Sequence, residues 1–600
     1  PLTDLPGRAL RRVVGAVAAY NLLVLATFPL AAAAAYLLAR YVVGSHLGAM
    51  VAGLVYAFLP FHLAQATQHP HVAQTQWLPL YFLALWRCLD RPDLRRALLL
   101  LAATAAVTLS NFYGALIAAV LTPVALCVYA VVRPQRPTGD PWRGLALTAI
   151  TLAAAGALGL LVVHGLAPEV LSRPAAFAVP RRDLFLHSAK WWSYLVPAVD
   201  HPLAGSWVRE LWAARGLEGV LLEQQVGVGW SVLALGAVPL WLWLRGDRSS
   251  LAVRSAPLLA IVALGALVCS LSPERRLGPF NFVRPSAWLY EAAPMFRAYA
   301  RFGVVVGLMT ALLAGAGAAS LWRKTSSAGR RAAAVLLGLA VLEMAPWPPW
   351  RWRDVLPTRA HRWLAAQPGP LRVLDCAPAR LSDSLALSRL GHQATLLGAP
   401  GFDDCGEPRL GEKLRAMGYT HLVVRRDGAV EDWLAKEPPA GLSSGPVFED
   451  ARIFQVTAEP PVAYVSALPG FHPREYGGGA TWRWMGPLGA LRIATAREVT
   501  GTTLVLELRS FPGDRLVTWT QDGRDRGRLH VTREWRWHEL TLQTLAPGET
   551  TLTFDYGAPV VANRVLENGD PRALGLALGR FGMAIGPEAR EQRSVVKDDR

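Results

Sequence analysis

The stretch RFGVVVGLMTALLAGAGAASLWRK, residues 301–324, decides how this chain folds. Between Arg301 and Arg323 it carries no charge, and about 20 mostly apolar residues make a helix long enough to cross a bilayer. Inside lipid the backbone groups of such a run must bond to one another, which a helix achieves. Comparable runs fall at roughly 13–39, 46–62, 71–88, 96–111, 113–132, 144–165, 228–244, 255–271, 302–322 and 331–346. About ten passes are therefore expected, in a transmembrane domain over 1–346.

Composition agrees with that division. Of 600 residues, 52% are hydrophobic and only 18% charged, and the charges crowd into the part after Pro346. A net charge of +17 would suggest nucleic acid in a soluble protein. Here the arginines sit in short loops between apolar runs: Arg87, Arg91, Arg95 and Arg96; Arg133, Arg136 and Arg143; Arg245, Arg248 and Arg254; Arg323, Lys324, Arg330 and Arg331. That bias marks cytoplasmic loops and sets nucleic acid aside. With every run spanning, segments 166–227 and 272–301 and everything after Pro346 lie outside. Arg8, Arg11 and Arg12 then also fall outside, against the rule. The chain begins at Pro1 without a signal-peptide pattern, and reading it as a piece lacking an upstream helix removes that conflict.

The two long outer segments mix cations with aromatics. One holds Arg181, Arg182, Asp183, His187, Lys190, Trp191, Trp192 and Tyr194; the other holds Arg284, Trp288, Tyr290, Glu291, Arg297 and Arg301. Tryptophan and tyrosine belong at headgroup level, and guanidinium groups grip phosphate with two bonds. An aromatic belt with snorkelling arginines has the same composition, so both readings stand. The spans hold almost no ionisable group, which disfavours an ion-coupled transporter.

After Trp347 the chain reads as a small α/β domain over 347–460, with strands in PLRVLDC and THLVVRR and helices in EPRLGEKLRAMGY and GAVEDWLAKE. No glycine-rich phosphate loop follows either strand. From 461 to 588 short alternating strands such as TTLVLELRS, with an Asp522-Gly523 turn, suggest a jelly-roll-like β-sandwich. Trp482, Trp484, Trp519, Trp535 and Trp537 could stack on sugars or fill its core. The charged residues 589–600 suit a disordered tail. Cys88, Cys127 and Cys269 belong to the apolar part; Cys376 and Cys405 are compatible with a disulfide or with free thiols. His62, His69 and His71 fit no standard metal spacing and read as hydrogen-bonding groups near headgroups. No hydrolase elbow, zinc-protease helix or P-loop is present.

Three stretches resemble the GT-C superfamily of bacterial membrane glycosyltransferases, in its YfhO-like and related branches. They are the turn Ala57-Phe58-Leu59-Pro60 with His69 and Gln76-Trp77-Leu78-Pro79-Leu80, then Arg297, Arg301 and Phe302 at the entry to a late helix, and finally the Trp-Arg-Trp and DPRALGLALGRFGM segments. The resemblance implies transfer of a sugar from a polyprenyl-phosphate carrier to an envelope glycan or lipid acceptor, at the outer face of a bacterial inner membrane. It implies an acidic general base in a first outer loop, which would precede Pro1. Arg181, Arg182, Lys190, Arg297 and Arg301 become candidates for the carrier phosphate, and His69, Gln76 and Trp77 for the headgroup or sugar. Asp183, Glu223 and Glu291 are weaker candidates for the base. No cofactor is required, and a divalent metal is compatible. A membrane transporter or a glycan-binding scaffold is the competing expectation.

Overall fold

The computed structural model describes residues 2–132, 141–166, 178–179, 181–215, 217, 220–277, 280–323, 327–345, 357–368, 371–375, 395–397, 410–416, 419–425, 441–458, 463–467, 471–472, 475–477, 480–486, 489–495, 497–557, 559–561 and 573–585. The chain divides into two compact units, Pro1–Trp352 and Arg353–Arg600.

The first unit is a polytopic helical membrane unit. Five of its described helices are long and apolar enough to cross a membrane: Ala16–Val43, Phe112–Val132, Trp142–Gly165, Leu251–Ser270 and Tyr299–Arg323. Helices His46–Ala57 and Pro60–Gln68 make a sixth span if taken together, bent by 41° where Pro60 starts a new helix. The expected ten passes are thus not all full spans. Residues 69–76 form turns, so the next helix begins only at Trp77. At 14 residues, Trp77–Asp90 is about 21 Å long, short of the roughly 30 Å hydrocarbon core. Leu94–Ser110 has 17 residues and Trp230–Leu244 has 15. Ser327–Met344 carries Arg330, Arg331 and Glu343.

The quoted stretch lies at the centre of this unit, with Gly303–Arg323 buried along almost its whole length. Its glycines are there because neighbouring backbones come too close for a side chain. A Cβ on Gly48 would sit 2.6 Å from the carbonyl oxygen of Gly315, and one on Gly317 would collide with the carbonyl of Leu235. Small residues allow that approach where lipid offers no hydrophobic drive for helices to associate. At the arginine-rich helix ends, Tyr41 and Tyr129 donate to the two carboxylate oxygens of buried Asp90 and join three helices.

In the second unit, one five-stranded sheet runs in the order Thr395–Leu397, Arg372–Asp375, His421–Arg425, Ala451–Val456, Leu442–Val447. The first three strands are parallel and the last two antiparallel. The expected helix over GAVEDWLAKE, Cys376, Cys405 and the tail all lie outside the described residues. Leu410–Ala416 is helical, as its sequence predicts.

Two further five-stranded antiparallel sheets follow. Arg536–Thr541, Thr502–Ser510, Leu576–Ile585, Ala480–Met485 and Glu475–Gly477 form one; Arg524–Val531, Arg515–Gln521, Gly548–Asp555, Ala490–Thr495 and Ala463–Ala467 form the other. Leu504, Leu506 and Leu508 of one sheet share a core with Val517, Leu552 and Phe554 of the other, so the two sheets face each other. Asp522 and Gly523 both take positive φ in the hairpin turn, as their sequence predicts. Of the tryptophans, Trp519 is in that core. Trp482, Trp484 and Trp535 surround the guanidinium of Arg509 at 5.2, 5.0 and 4.8 Å from their ring centroids, and Arg580 lies 5.3 Å from that of Trp537. Their rings therefore serve packing and cation–π contact within the domain.

Candidate active site

Most of the cations and histidines singled out in the sequence gather at one end of the helical unit. That end is opposite the arginine-rich loops, because Trp77, Phe112 and Gly303 each begin a helix that runs toward such a loop. At its centre, Arg301 donates to Glu223 from Nε (3.0 Å) and Nη2 (2.6 Å) to the same oxygen, with a further Nε contact at 3.3 Å. The side chains are only 11% and 5% exposed. Glu223 is brought there by the short helix Leu221–Gln224, whose Gln224 donates to the carbonyls of Leu186 and Ser188. Arg301 also lies over the ring of Tyr113, 4.3 Å from its centroid. The hydroxyl of Tyr113 accepts from the backbone N–H groups of Arg297 and Ala298 at 3.2 and 3.0 Å.

A second, looser ion pair flanks the first. Arg297 Nη1 is 3.4 Å from Asp183 on helix Arg181–Leu186, and the Arg297 side chain is 51% exposed. Arg181, on the same short helix, pairs with Glu274 at 3.3 Å. Lys190 donates to the carbonyls of Phe185 and Ser188 at 2.6 and 3.3 Å. Burial first, and then Arg284, lower its pKa. Glu291 is exposed near the end of helix Pro285–Ala292, and the side chain of Arg182 lies outside the described residues.

Three histidines complete the cluster. His69 Nδ1 lies 2.9 Å from the amide oxygen of fully buried Gln65. That oxygen can only accept, so Nδ1 carries the proton and Nε2 is left as the basic nitrogen. Burial and then Arg301 hold the His69 pKa below its ordinary value, with Glu223 acting in the opposite sense. His187 is lowered by burial and then by Arg297, against Glu223 and Asp183. His71 stands 5.8 Å from His69, ring to ring, and feels Asp4 of the first helix. Both His69 and His187 are thus neutral bases beside two arginines.

Beside Arg301 lies a small amphipathic pocket with room for about one water molecule. Gln74, Thr75, Trp77, Asn111 and Tyr113 line it on one side, and Phe61, Val72, Leu78, Val107, Ile117 and Val304 give it apolar walls. The Thr75 hydroxyl and Trp77 Nε1 are buried with no protein hydrogen-bond partner, as are Gln65 Nε2 and Gln76 Oε1. Unpaired buried polar atoms are costly, and two of these four, on Thr75 and Trp77, belong to residues that line the pocket. Gln76 Nε2 is already used by Gln74 at 2.7 Å. Among the described residues no group of three or more histidine, cysteine or acidic side chains could hold a metal ion.

Sequence reasoning did not select Tyr113, Gln65 or Asp4 for the site, and placed His187 in an outer cluster without a role of its own. Tyr113 at the first turn of an apolar helix was the available signal, since a lone polar aromatic there faces the headgroup level. Neither Gln65 nor the Asp4 carboxylate carries a motif.

The chain belongs to the family described as a domain of unknown function, DUF6311, whose model matches residues 1–345. No curated protein matches it. Among solved structures it is similar to the arabinofuranosyltransferase AftD from Mycobacteria, at 12% identity and a TM-score of 0.43, covering 96% of this chain and 53% of that one. A mutant form of AftD gives 13% identity, a TM-score of 0.41 and coverage of 96% and 56%. ArnT from Cupriavidus metallidurans, bound to undecaprenyl phosphate, gives 12% identity, a TM-score of 0.40 and coverage of 76% and 88%. The chain spans a little over half the length of the AftD structures.

Proposed function

We propose that this member of the DUF6311 family is a membrane glycosyltransferase. It moves a sugar from a polyprenyl-phosphate carrier to a cell-envelope acceptor, at the extracytoplasmic face of a bacterial inner membrane. The observation that carries the reading is the gathering, at one end of the helical unit, of Arg301, Arg297 and two histidines held neutral beside them, next to a small pocket lined by apolar side chains and Arg301. An isoprenoid chain with a phosphate-linked sugar has that same division of character.

The cations take different parts in this reading. Arg301 is engaged by Glu223, so it fixes the architecture and lends one remaining edge of its guanidinium. Arg297 and Arg181 are half exposed and held by single long contacts, which at the surface contribute up to about 1 kcal/mol. A phosphate competes for them readily and offers two-pronged bonds in return. During transfer the bond from the anomeric carbon to the carrier phosphate breaks as the acceptor oxygen bonds that carbon. The carrier phosphate leaves with the electron pair, stabilised by Arg297 and Arg181. The acceptor proton passes to a general base, a part that an acidic side chain plays in the superfamily the sequence resembles.

The test is transfer by the full-length protein in nanodiscs, supplied with radiolabelled polyprenyl-phosphate sugars and an envelope-lipid extract. Label should move to the acceptor and the carrier phosphate should be released. Binding of undecaprenyl phosphate that survives the paired change Arg181→Ala and Arg297→Ala undiminished would sink the assignment of these residues.

A further inference from the structure

The ribbon that follows spanning helix Leu251–Ser270 takes no part in the pocket. Its strands, Glu274–Leu277 and Phe280–Val283, pair with each other and, among the described residues, with no other strand. Such a ribbon is marginally stable in water without a surface to cover it. Every residue of the second strand is exposed, with Phe280 at 67%, Phe282 at 52% and Val283 at 51%. Residues two apart on a strand share a face, and the rings of Phe280 and Phe282 lie 6.5 Å apart, centre to centre. An uncovered pair of this size in solvent is a liability; in lipid it is an anchor.

Where the ribbon stands is fixed at its base. Arg284 donates from its backbone N–H to the carbonyl of Pro273 at 2.8 Å, and from its guanidinium to Ser272. Ser286 donates to the carbonyl of Leu271 at 2.7 Å. The ribbon therefore leaves the end of a spanning helix within four residues. Its four-residue strands reach no more than about 13 Å, while the headgroup layer is about 5–7 Å thick. The ribbon therefore starts at that layer and is short enough to lie along it. Arg275, opposite Phe282 in the register, is exposed, and Trp288 on the next helix is 60% exposed. Arginine with phenylalanine and tryptophan is the composition of segments that lie in a membrane surface.

We propose that the hairpin Glu274–Val283 beds Phe280 and Phe282 in the headgroup layer of the membrane that this unit crosses, with Arg275 on the phosphates of anionic lipids. This holds whichever reaction the pocket supports. Because Glu274 accepts from Arg181, the hairpin is also tied to the short helix that carries Asp183.

The experiment places photoreactive benzoylphenylalanine at position 280 or, separately, 282 of the full-length protein. Each variant is irradiated in nanodiscs of phosphatidylglycerol or of phosphatidylcholine, and adducts are read by mass spectrometry. Position 516, where Leu516 is exposed on a strand of the two-sheet domain, serves as the reference. Lipid adducts at 280 and 282 several-fold above the reference, and higher in phosphatidylglycerol, are expected. Yields at both positions no greater than at 516 in either membrane overturn the proposal. Equal yields in the two lipids overturn the part given to Arg275.

Discussion

Glu223 and Arg301, 78 residues apart in sequence, meet through three nitrogen–oxygen contacts of 3.3 Å or less while both side chains are almost wholly buried. The pair joins the helix Leu221–Gln224 to the entry of the central helix, and Tyr113 closes the other face of the guanidinium. Removing one partner of such a pair leaves an uncompensated buried charge, at a cost of about 3–5 kcal/mol. Glu223→Gln should therefore lower the unfolding temperature sharply in lipid or detergent. The double change Glu223→Leu with Arg301→Met should recover much of the loss. A single variant that melts like the unaltered protein would contradict this account.

Arg297 behaves differently because its own side chain is half exposed and its contact with Asp183 is long. Arg297→Ala should shift stability by no more than about 1 kcal/mol. Its effect should appear instead in binding, as a several-fold loss of undecaprenyl phosphate retention in nanodiscs. Thermal unfolding and lipid binding measured on one preparation separate the two.

The histidines set a pH dependence. His69 and His187 have folded pKa values below the ordinary 6.5, first because they are buried and then because arginines face them. The unfolded chain takes up these protons more readily, so stability present above about pH 6.5 is lost as the pH falls toward the lowered folded values. Unfolding followed between pH 7.5 and pH 5, as a designed range, should show this decline. His69→Gln should flatten it, and an unchanged slope in both His69→Gln and His187→Gln would count against it.

The glycines of the central helix give a packing test. A Cβ at Gly317 collides with the backbone of Leu235, and one at Gly48 meets Gly315 O at 2.6 Å. Neither neighbour is a flexible side-chain end that could move away. Gly317→Ala should cost about 1–3 kcal/mol, as overpacking does. Gly156→Ala, where no atom lies within 4 Å, should be neutral or slightly stabilising. Equal unfolding temperatures for the two variants would refute the close-approach reading.

Much of the fold was legible because it follows from local physics. The run over 302–322 is helical and central, and the alternation in Thr502–Ser510 puts Leu504, Leu506 and Leu508 inside. The site was legible only as an inventory. Arg297 and Arg301 were named from residue type near helix ends, and His69 and Trp77 from the resemblance to the GT-C superfamily; the structure brings them to one end of the unit. What could not be read was their state. Arg301 reads in sequence as a free phosphate ligand, yet its charge is answered by Glu223. The run over 71–88 was drawn too early at its start, since the polar residues 71–76 form turns and the helix begins only at Trp77.

By itself the sequence determined which segments are helices, which are alternating strands, and that the helical half belongs in lipid. Those properties depend on neighbours within a few turns, where backbone bonding and apolar period leave little choice. Tertiary structure alone decided which charges cancel, which histidine nitrogen is basic, and which side chains line a pocket beside Arg301. Those depend on distances between residues far apart in the chain, and electrostatic energy depends steeply on distance and burial, neither of which a sequence contains.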